Sequence, residues 1–396
     1  MADRFYRLMG RIQHYAWGGR DFIPALLGLA PEPGLTYAEY WLGAHERAPA
    51  TVLLTEDEAV PLDRLIAARP EAVLGRRTAA RYGRLPYLFK VLDVARPLSI
   101  QVHPTRAQAE AGFEEENRRG IPLDSPQRNY KDRSHKPELM VALSDFWLLH
   151  GFLPEERLAR LLESVPEFHR LRRVWAQGGL PALYRRVMGL APAEVEAILG
   201  PLIARLRRSA AAERTPADAW LLRLAATRRA DRGLFSLYFL NLLHLRPGQG
   251  IFQAAGVPHA YLQGQNVEVM ANSDNVLRGG LTDKHVDVDE LLRVVRFEGV
   301  QPRLIAPDGS PEAIYAAPTE DFRLTRLGLE PGAAWEGEAS SAEVLLLLAG
   351  EATLGGGARR LTLRRGQSAV VFAGTAYRIE AAAKTDIFRV SLPAGS

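Results

Sequence analysis

The stretch HLRPGQGIFQAAGVPH, residues 244–259, decides the fold. Two short strand-like runs flank a tight turn of proline and glycine, and a loop that ends in a histidine follows the second run. The stretch TLRRGQSAVVFAGTAY, residues 362–377, repeats this order of strand, turn, strand and loop. In the later copy Tyr377 stands where the earlier copy has His259. The chain therefore carries one β pattern twice, and the histidine occurs in the earlier copy.

Both copies resemble the second motif of the cupin family, whose fold is a jelly-roll β-barrel. The resemblance implies two such barrels. In each copy the turn glycine returns the chain, and the strand after it faces the barrel interior. Because the later copy lacks the histidine, any metal is expected in the earlier barrel.

The rest of the chain divides by its hydrophobic pattern. Between about residues 154 and 230, aliphatic side chains recur at three- and four-residue spacing, as in Leu158, Leu161 and Leu162, which predicts several amphipathic helices. Strands return after these helices. We therefore expect a mainly β fold with an α insertion. The expected parts are a catalytic cupin-like barrel over 1–150 and 240–312, an inserted helical domain over 151–239 and a C-terminal cupin-like domain over 313–396.

Composition narrows the class of protein. The 396 residues include 50 basic and 46 acidic side chains, and because the arginines are interleaved with glutamates we expect no nucleic-acid partner. No cysteine is present, which excludes disulfides and thiolate metal sites. No apolar run approaches the ~20 residues of a membrane span, and the charged N-terminus does not look like a signal peptide. We expect a cytoplasmic monomer with no membrane partner.

Polar side chains with metal-binding donors occur in three places. If residues 99–103 form a strand, Ser99, Gln101 and His103 share one face, where hydrogen bonds or a metal must satisfy them. Glu138 opens an apolar run behind Pro137, although this segment taken alone is more typical of a salt-bridged surface loop.

The third place is the rigid turn Pro258-His259, where a lone histidine is more often a hydrogen-bonded core residue than a ligand. Taken together, two histidines, one glutamate and one glutamine supply nitrogen and oxygen donors that suit a catalytic zinc. Donors without sulfur also accept Mn, Co or Fe(II). Glutamine is neutral, so the site would keep a net positive charge.

Downstream, Arg278 stands before two glycines that allow close approach of a ligand, so its guanidinium can face a bound anion. Lys284 adds a second cation. A solvated turn with surface charges is the alternative interpretation of this segment.

Four motifs, SIQVHP, NYKD..HKPE, PHAYL and NSDNVLRGGLT.K, occur in this order, and with them the chain resembles the type I phosphomannose isomerase family over nearly its whole length. The resemblance implies zinc ligation by Gln101, His103, Glu138 and His259. It implies an active-site arginine at Arg278, an acidic residue at Glu268, and Ser99, Lys136 and Lys284 around the sugar phosphate. The sequence departs from the family at Asp283, where many members have proline.

The implied reaction is the reversible isomerisation of mannose 6-phosphate and fructose 6-phosphate, which needs a base that moves a proton between C2 and C1. Glu268 is the first candidate, and Lys136 or His135 the second. Arg278 would stabilise charge, since a guanidinium is a poor proton acceptor. The alternatives are a sugar-phosphate-binding cupin without catalysis and an isomerase for another sugar phosphate. An additional guanylyltransferase activity is excluded because Gly355–Gly357 lacks the helix and lysine of a nucleotide loop.

Overall fold

A computed structural model describes residues 4–227 and 231–393. Residues 1–3, on which the interpretation of the N-terminus partly rests, lie outside this range. In the described part, no one helix combines the length and apolarity that crossing a bilayer requires, while the pair Pro166–Met188 and Pro192–Arg208, bent by 107°, meets both criteria jointly.

The strands are, in chain order, β1 Phe5–Met9, β2 Arg11–Gln13, β3 Glu39–Gly43, β4 Thr51–Leu53, β5 Ala59–Pro61, β6 Tyr87–Val94, β7 Gln101–Val102, β8 Glu138–Ala142, β9 Phe146–Phe152, β10 Leu240–Leu245, β11 Gly250–Gln253, β12 His259–Ala271, β13 Leu277–Arg278, β14 Glu312–Tyr315, β15 Arg323–Leu329, β16 Ala334–Ala339, β17 Glu343–Ala349, β18 Glu351–Gly356, β19 Arg359–Arg364, β20 Ser368–Val371, β21 Thr375–Ala381 and β22 Thr385–Ser391.

The α-helices are α1 Phe22–Leu27, α2 Leu62–Ala68, α3 Pro70–Leu74, α4 Arg76–Tyr82, α5 Arg106–Arg118, α6 Glu155–Ser164, α7 His169–Met188, α8 Pro192–Arg208, α9 Pro216–Ala225, α10 Ser236–Phe239 and α11 Val288–Val294. Short 3-10 helices cover Pro166–Phe168, Ala211–Glu213 and Arg232–Phe235.

The helical insertion forms where the hydrophobic spacing predicts it. α7 is broken at Gly178 and Gly179, which leave helical backbone angles. Pro192 and Pro216 are the first residues of α8 and α9, so they begin helices. A proline is tolerated there because the first amide of a helix has no internal acceptor.

Two antiparallel β units make up the rest, and the predicted fold class, mainly β with an α insertion, is confirmed. The first unit is a ten-stranded sheet in the order β10-β9-β12-β6-β3-β2, to which β7, β8, β11 and β13 attach. The second joins β14-β15-β22-β17-β20 and the four-stranded sheet β16-β21-β18-β19. Its larger sheet continues into β1, β4 and β5 from the start of the chain, with Phe5 opposite Val371.

Strand β12 positions the site because it belongs to both sides of the first barrel. Its first residues pair with β7 and β9, and its later residues pair with β6 and β8. Between them lies Gly264 at φ 125°, where a Cβ would stand 2.6 Å from the carbonyl oxygen of Asp145. A strand can therefore bend at this point without a side chain blocking the bend.

Alternation along the strands separates the inside of the barrel from the helical insertion. Ile100, Val102, Ala260 and Leu262 are buried in one cluster with the leucines of α6, α8 and α9. Because successive side chains of a strand point to opposite faces, Gln101 and His259 point away from the helices and into the barrel. Burial of apolar side chains on one face thus directs the polar ones inward.

Candidate metal centre

Three buried side chains from three separate elements converge inside the first barrel. Nε2 of His103 lies 3.2 Å from Oε1 of Glu138, and Nε2 of His259 lies 3.3 Å from Oε2 of the same carboxylate. The three donor atoms all lie within 4.8 Å of one another. The three side chains are almost completely buried. This spacing suits one metal ion.

The hydrogen bonds of both histidine rings fit a ligand role. Nδ1 of His103 lies 2.8 Å from the carbonyl oxygen of Asn275, and Nδ1 of His259 lies 3.0 Å from that of Val257. Each Nδ1–H donates to its carbonyl, which leaves the Nε2 lone pair directed at the cluster. Nε2 of His103 is buried without a hydrogen-bond partner among the described residues. Burial, and next the charge of Lys136, lower the pKa of His103 to about 4, so the ring is neutral at pH 7.

Strand register places Gln101 beside this cluster. Gln101 is directly opposite His259 across β7 and β12, and opposite Arg278 across β7 and β13. Side chains of directly opposed residues lie on the same face of a sheet. The strand is shorter than the stretch 99–103 considered in the sequence: only Gln101 and Val102 belong to it. His103 follows as the last residue before the Pro104 turn into α5.

Lys136 contacts the same carboxylate from the loop before β8. Its Nζ lies 2.8 Å from Oε1 of Glu138. Burial alone would raise the pKa of Glu138, but the charge of Lys136, with smaller contributions from His103 and His259, outweighs burial and holds that pKa well below its usual range. Glu138 is therefore ionised at neutral pH, as a carboxylate that binds a metal must be.

A second polar layer lies next to the cluster. Oε2 of Glu268 accepts a hydrogen bond of 2.8 Å from the hydroxyl of Tyr261, and Nζ of Lys90 lies 3.7 Å from Oε1 of Glu268. Burial first, and then the charge of Glu138, raise the pKa of Glu268 to about 7. Glu39 is the other carboxylate near Lys90, at 3.4 Å. Glu268 is thus a carboxyl poised to exchange a proton near neutral pH.

Lys90 is a member of the site that the sequence interpretation missed. It lies in the apolar strand β6, Tyr87–Val94, and a lysine inside such a strand is itself a signal, because a buried ammonium needs partners. Its side chain points inward in register with Glu268 on β12. Its ammonium also lies 5.0 Å from the ring centre of Trp41.

Arg278 and Lys284 form a cationic rim. The guanidinium of Arg278 is partly buried and has no hydrogen-bond or acidic partner in the described part of the chain, and burial lowers its pKa. Burial, followed by the charges of Arg278 and Arg47, lowers the pKa of Lys284. Asp283, the departure from the family pattern, is exposed. Ser99 is partly buried, and its neighbour Ile100 hydrogen-bonds through its backbone to Gly279 and Gly280, directly after Arg278.

His135 points elsewhere. Its Nε2 lies 2.7 Å from Oδ2 of Asp321, which precedes β15. Its backbone is next to Lys136 in the loop that leads to Glu138.

A jelly-roll barrel with two histidines and a carboxylate converging inside it defines the class: a cupin-fold protein with a metal-binding centre.

Residues 5–155 match the model of the family "Phosphomannose isomerase type I, catalytic domain". A mannose-6-phosphate isomerase from Salmonella typhimurium is 38% identical over 374 residues, 92% of this chain and 94% of the relative. That of Homo sapiens is 34% identical, over 88% of each chain.

Solved structures agree with the sequence relatives. A Salmonella typhimurium mannose 6-phosphate isomerase, solved with fructose 6-phosphate and zinc, superposes with a TM-score of 0.90 at 35% identity, covering 98% of this chain and 99% of the other. A zinc-bound mannose 6-phosphate isomerase gives the same TM-score. The chain belongs to the type I mannose-6-phosphate isomerase family, as its motifs predict.

Proposed function

We propose that this protein interconverts mannose 6-phosphate and fructose 6-phosphate at one zinc ion. Its ligands would be Gln101, His103, Glu138 and His259. The observation that carries this proposal is the buried convergence of His103, Glu138 and His259 in a chain whose relative binds fructose 6-phosphate and zinc.

The donor set fits zinc. Two neutral imidazoles and one carboxylate match its preferred nitrogen and oxygen ligands, and a neutral amide adds no charge. With Glu138 as the single anion, a divalent ion keeps one net positive charge. When bound, zinc supplies Lewis acidity that stabilises negative charge developing on the sugar oxygens.

Arg278 and Lys284 are the proposed groups for the anionic end of the substrate. The guanidinium of Arg278 has no acidic partner among residues 4–227 and 231–393, so it is free to pair with phosphate or with a developing oxyanion. Burial strengthens such pairing because the local dielectric is lower than in water. Ser99 is proposed to donate a hydroxyl hydrogen bond at the same rim.

Glu268 is the proposed general base. Its pKa of about 7 matches what proton transfer at neutral pH requires, since such a carboxylate is both available and basic. Tyr261 donates to one of its oxygens, which orients the carboxylate. Lys136, 2.8 Å from Glu138, is the alternative proton carrier.

The test is a coupled assay of fructose 6-phosphate formation from mannose 6-phosphate. It is run on the protein as purified, after chelation and after zinc is added back. Loss on chelation and recovery with zinc support the proposal. Sugar-phosphate binding without turnover in zinc-loaded protein would favour a non-catalytic cupin, and faster turnover of glucose 6-phosphate would favour another isomerase. Turnover that survives complete metal removal would contradict the zinc centre.

We further propose that the active unit is a monomer in the cytoplasm. All four proposed ligands come from one chain, so no second copy is needed to complete the centre. Light scattering on the purified protein should give a mass near the 43.8 kDa of one chain. Fractionation of cells should place the activity with the cytoplasmic enzymes.

A further inference from the structure

The segment before β15 touches the loop that leads into the proposed metal centre. Oδ2 of Asp321 lies 2.7 Å from Nε2 of His135, and Asp321 is only 5% exposed. His135 is followed by Lys136 and Pro137, and Glu138 begins β8 directly after them. A carboxylate from the expected C-terminal domain thus holds a residue three positions before a proposed ligand.

Asp321 is itself held in place. The hydroxyl of Thr319 donates to Oδ2 of Asp321 at 2.7 Å, and the backbone N–H of Asp321 donates back to that hydroxyl at 3.3 Å. A guanidinium nitrogen of Arg106 lies 3.8 Å from the other carboxylate oxygen. These contacts fix the direction in which the carboxylate accepts from His135.

The carboxylate also decides which nitrogen of His135 carries the proton. Because Asp321 can only accept when ionised, Nε2 of His135 must be the protonated nitrogen. Arg106 lies 3.1 Å from the same Nε2, but it cannot donate to a nitrogen that already bears hydrogen, so its charge pairs with Asp321. In the neutral ring, Nδ1 keeps its lone pair. The ring is thus held in one tautomer.

The backbone after His135 is stiff enough to transmit this anchor. Pro137 has a fixed φ, and the residue before a proline is confined to extended conformations. Lys136 is that residue, and its Nζ already lies 2.8 Å from Glu138. A shift of His135 would therefore move Lys136 and Glu138 together.

The other end of this loop is anchored within the first barrel. The side-chain amide of Asn275 donates to the carbonyl oxygens of Asp132 and Ser134, at 2.7 and 2.8 Å. Arg84 reaches the hydroxyl of Ser134 at 2.9 Å. Among the hydrogen bonds and ion pairs of residues 4–227 and 231–393, the contact with Asp321 is the one that ties the loop to the segment after residue 313.

We propose that Asp321 is a positioning residue that acts through His135 to hold Lys136 and Glu138 in their working geometry. This inference rests on the proposed function and gives the C-terminal part of the chain a role in turnover besides support. Misplacing a reacting group by about 1 Å can cost 10²-fold in rate.

The test is a cycle of Asp321→Ala, His135→Ala and the double variant in zinc-loaded protein. Asp386→Ala is the matched control, because it removes a carboxylate of the same part of the chain that pairs with Arg326 at 2.7 Å. We expect Asp321→Ala to lower kcat at least about tenfold with KM and zinc content little changed, and to cause no further loss in the His135→Ala background. Equal kcat in the two aspartate variants, or losses that multiply in the double variant, would overturn the inference.

Asp321→Asn is the milder variant, since its amide oxygen still accepts from His135. We expect its kcat to lie between those of Asp321→Ala and the unmodified chain and, if the alanine variant does not fold, to lie below that of Asp386→Ala. Two-bond ¹H–¹⁵N NMR spectra show which ring nitrogen of each histidine carries a proton, and this measurement does not depend on enzyme turnover. Protonation of His135 at Nε2 in the unmodified chain, lost in Asp321→Ala, supports the inference. Protonation at Nδ1 alone, with Nε2 unprotonated, in the unmodified chain overturns it, whether or not the protein turns over substrate.

Discussion

Gln101 and His259 stand directly opposite each other across two strands of the first barrel. Their side chains therefore share the inner face, and Arg278, opposite Gln101 on the next strand, lies on that face as well. Because Gln101 is neutral, the proposed ligand set carries the charge of Glu138 alone.

Gln101→Glu should tighten zinc binding and slow turnover. The second carboxylate cancels the remaining positive charge of the centre, which attracts the cation more strongly and weakens its Lewis acidity. We expect at least about a tenfold loss of kcat. A chelator-competition titration measures zinc affinity, and the coupled assay measures kcat. Unchanged zinc affinity and unchanged kcat would remove Gln101 from the ligand set.

Arg278→Ala should abolish most turnover while zinc stays bound. The guanidinium is proposed to stabilise negative charge on the substrate, and removing one such donor costs on the order of 10²–10³ in rate. Metal analysis and the coupled assay give the two readouts. Arg360→Ala, at an exposed arginine of the second unit, is the control and should behave like the unmodified protein. Full turnover in Arg278→Ala would exclude the proposed role.

The pH dependence of kcat should report Glu268. Burial raises the pKa of this carboxyl to about 7, so lowering the pH through that value protonates the base and kcat falls. Above about pH 7 the carboxylate is ionised and this limb is flat. A profile of kcat from pH 5 to 9 at saturating substrate checks the sign and the position of the limb.

Two variants separate Glu268 from its competitor. Glu268→Gln should remove turnover across the whole profile, because an amide cannot accept the proton. Lys136→Met, which removes the alternative proton carrier, should lower kcat and move the acid limb to higher pH without removing it, because the charge of Lys136 holds the pKa of Glu268 down. If Lys136→Met removes the limb and Glu268→Gln retains turnover, the assignment of the base is reversed.

The sequence could predict three donor residues that the structure brings together, His103, Glu138 and His259, but not all of the side chains around them. The alternation at Gln101 and Val102, and the turn before His259, are local signals that survive in the fold because strand period dictates which face a side chain takes. The sequence analysis does not identify Lys90, because a single lysine in an apolar strand has no partner nearby in the sequence. The carboxylates that pair with it belong to Glu39 on β3 and Glu268 on β12.

Long-range pairing explains the other structural features that the sequence analysis does not predict. Phe5 lies opposite Val371, so the first strand of the chain belongs to a sheet formed by its last hundred residues. Residues 366 positions apart leave no periodic trace of such pairing in either segment. The contact of Asp321 with His135 is hidden for the same reason: it depends on how two separately predicted parts dock.

The second copy of the repeated pattern replaces ligands with an ion pair. Tyr377, which stands where the first copy has His259, donates a hydrogen bond of 2.6 Å to Oε2 of Glu343. Arg389 holds both oxygens of this buried carboxylate, at 2.7 and 2.8 Å, and lies 4.7 Å from the ring centre of Trp335. The interior position that offers metal donors in one barrel thus offers a neutralised carboxylate in the other.

Glu343→Gln should therefore destabilise the fold without touching the chemistry. It leaves the mostly buried guanidinium of Arg389 with the more exposed carboxylate of Glu312, 3.9 Å away, as its remaining partner. Removing one partner of a buried pair costs about 3–5 kcal/mol. Differential scanning calorimetry should show a clear fall in Tm, with kcat and zinc content per folded chain unchanged. Glu351→Gln, which breaks the exposed pair with Arg364, is the control and should shift Tm little. Equal shifts of Tm in the two variants would show that burial of the pair between Glu343 and Arg389 adds no stability. A loss of zinc would show that this pair couples the two barrels.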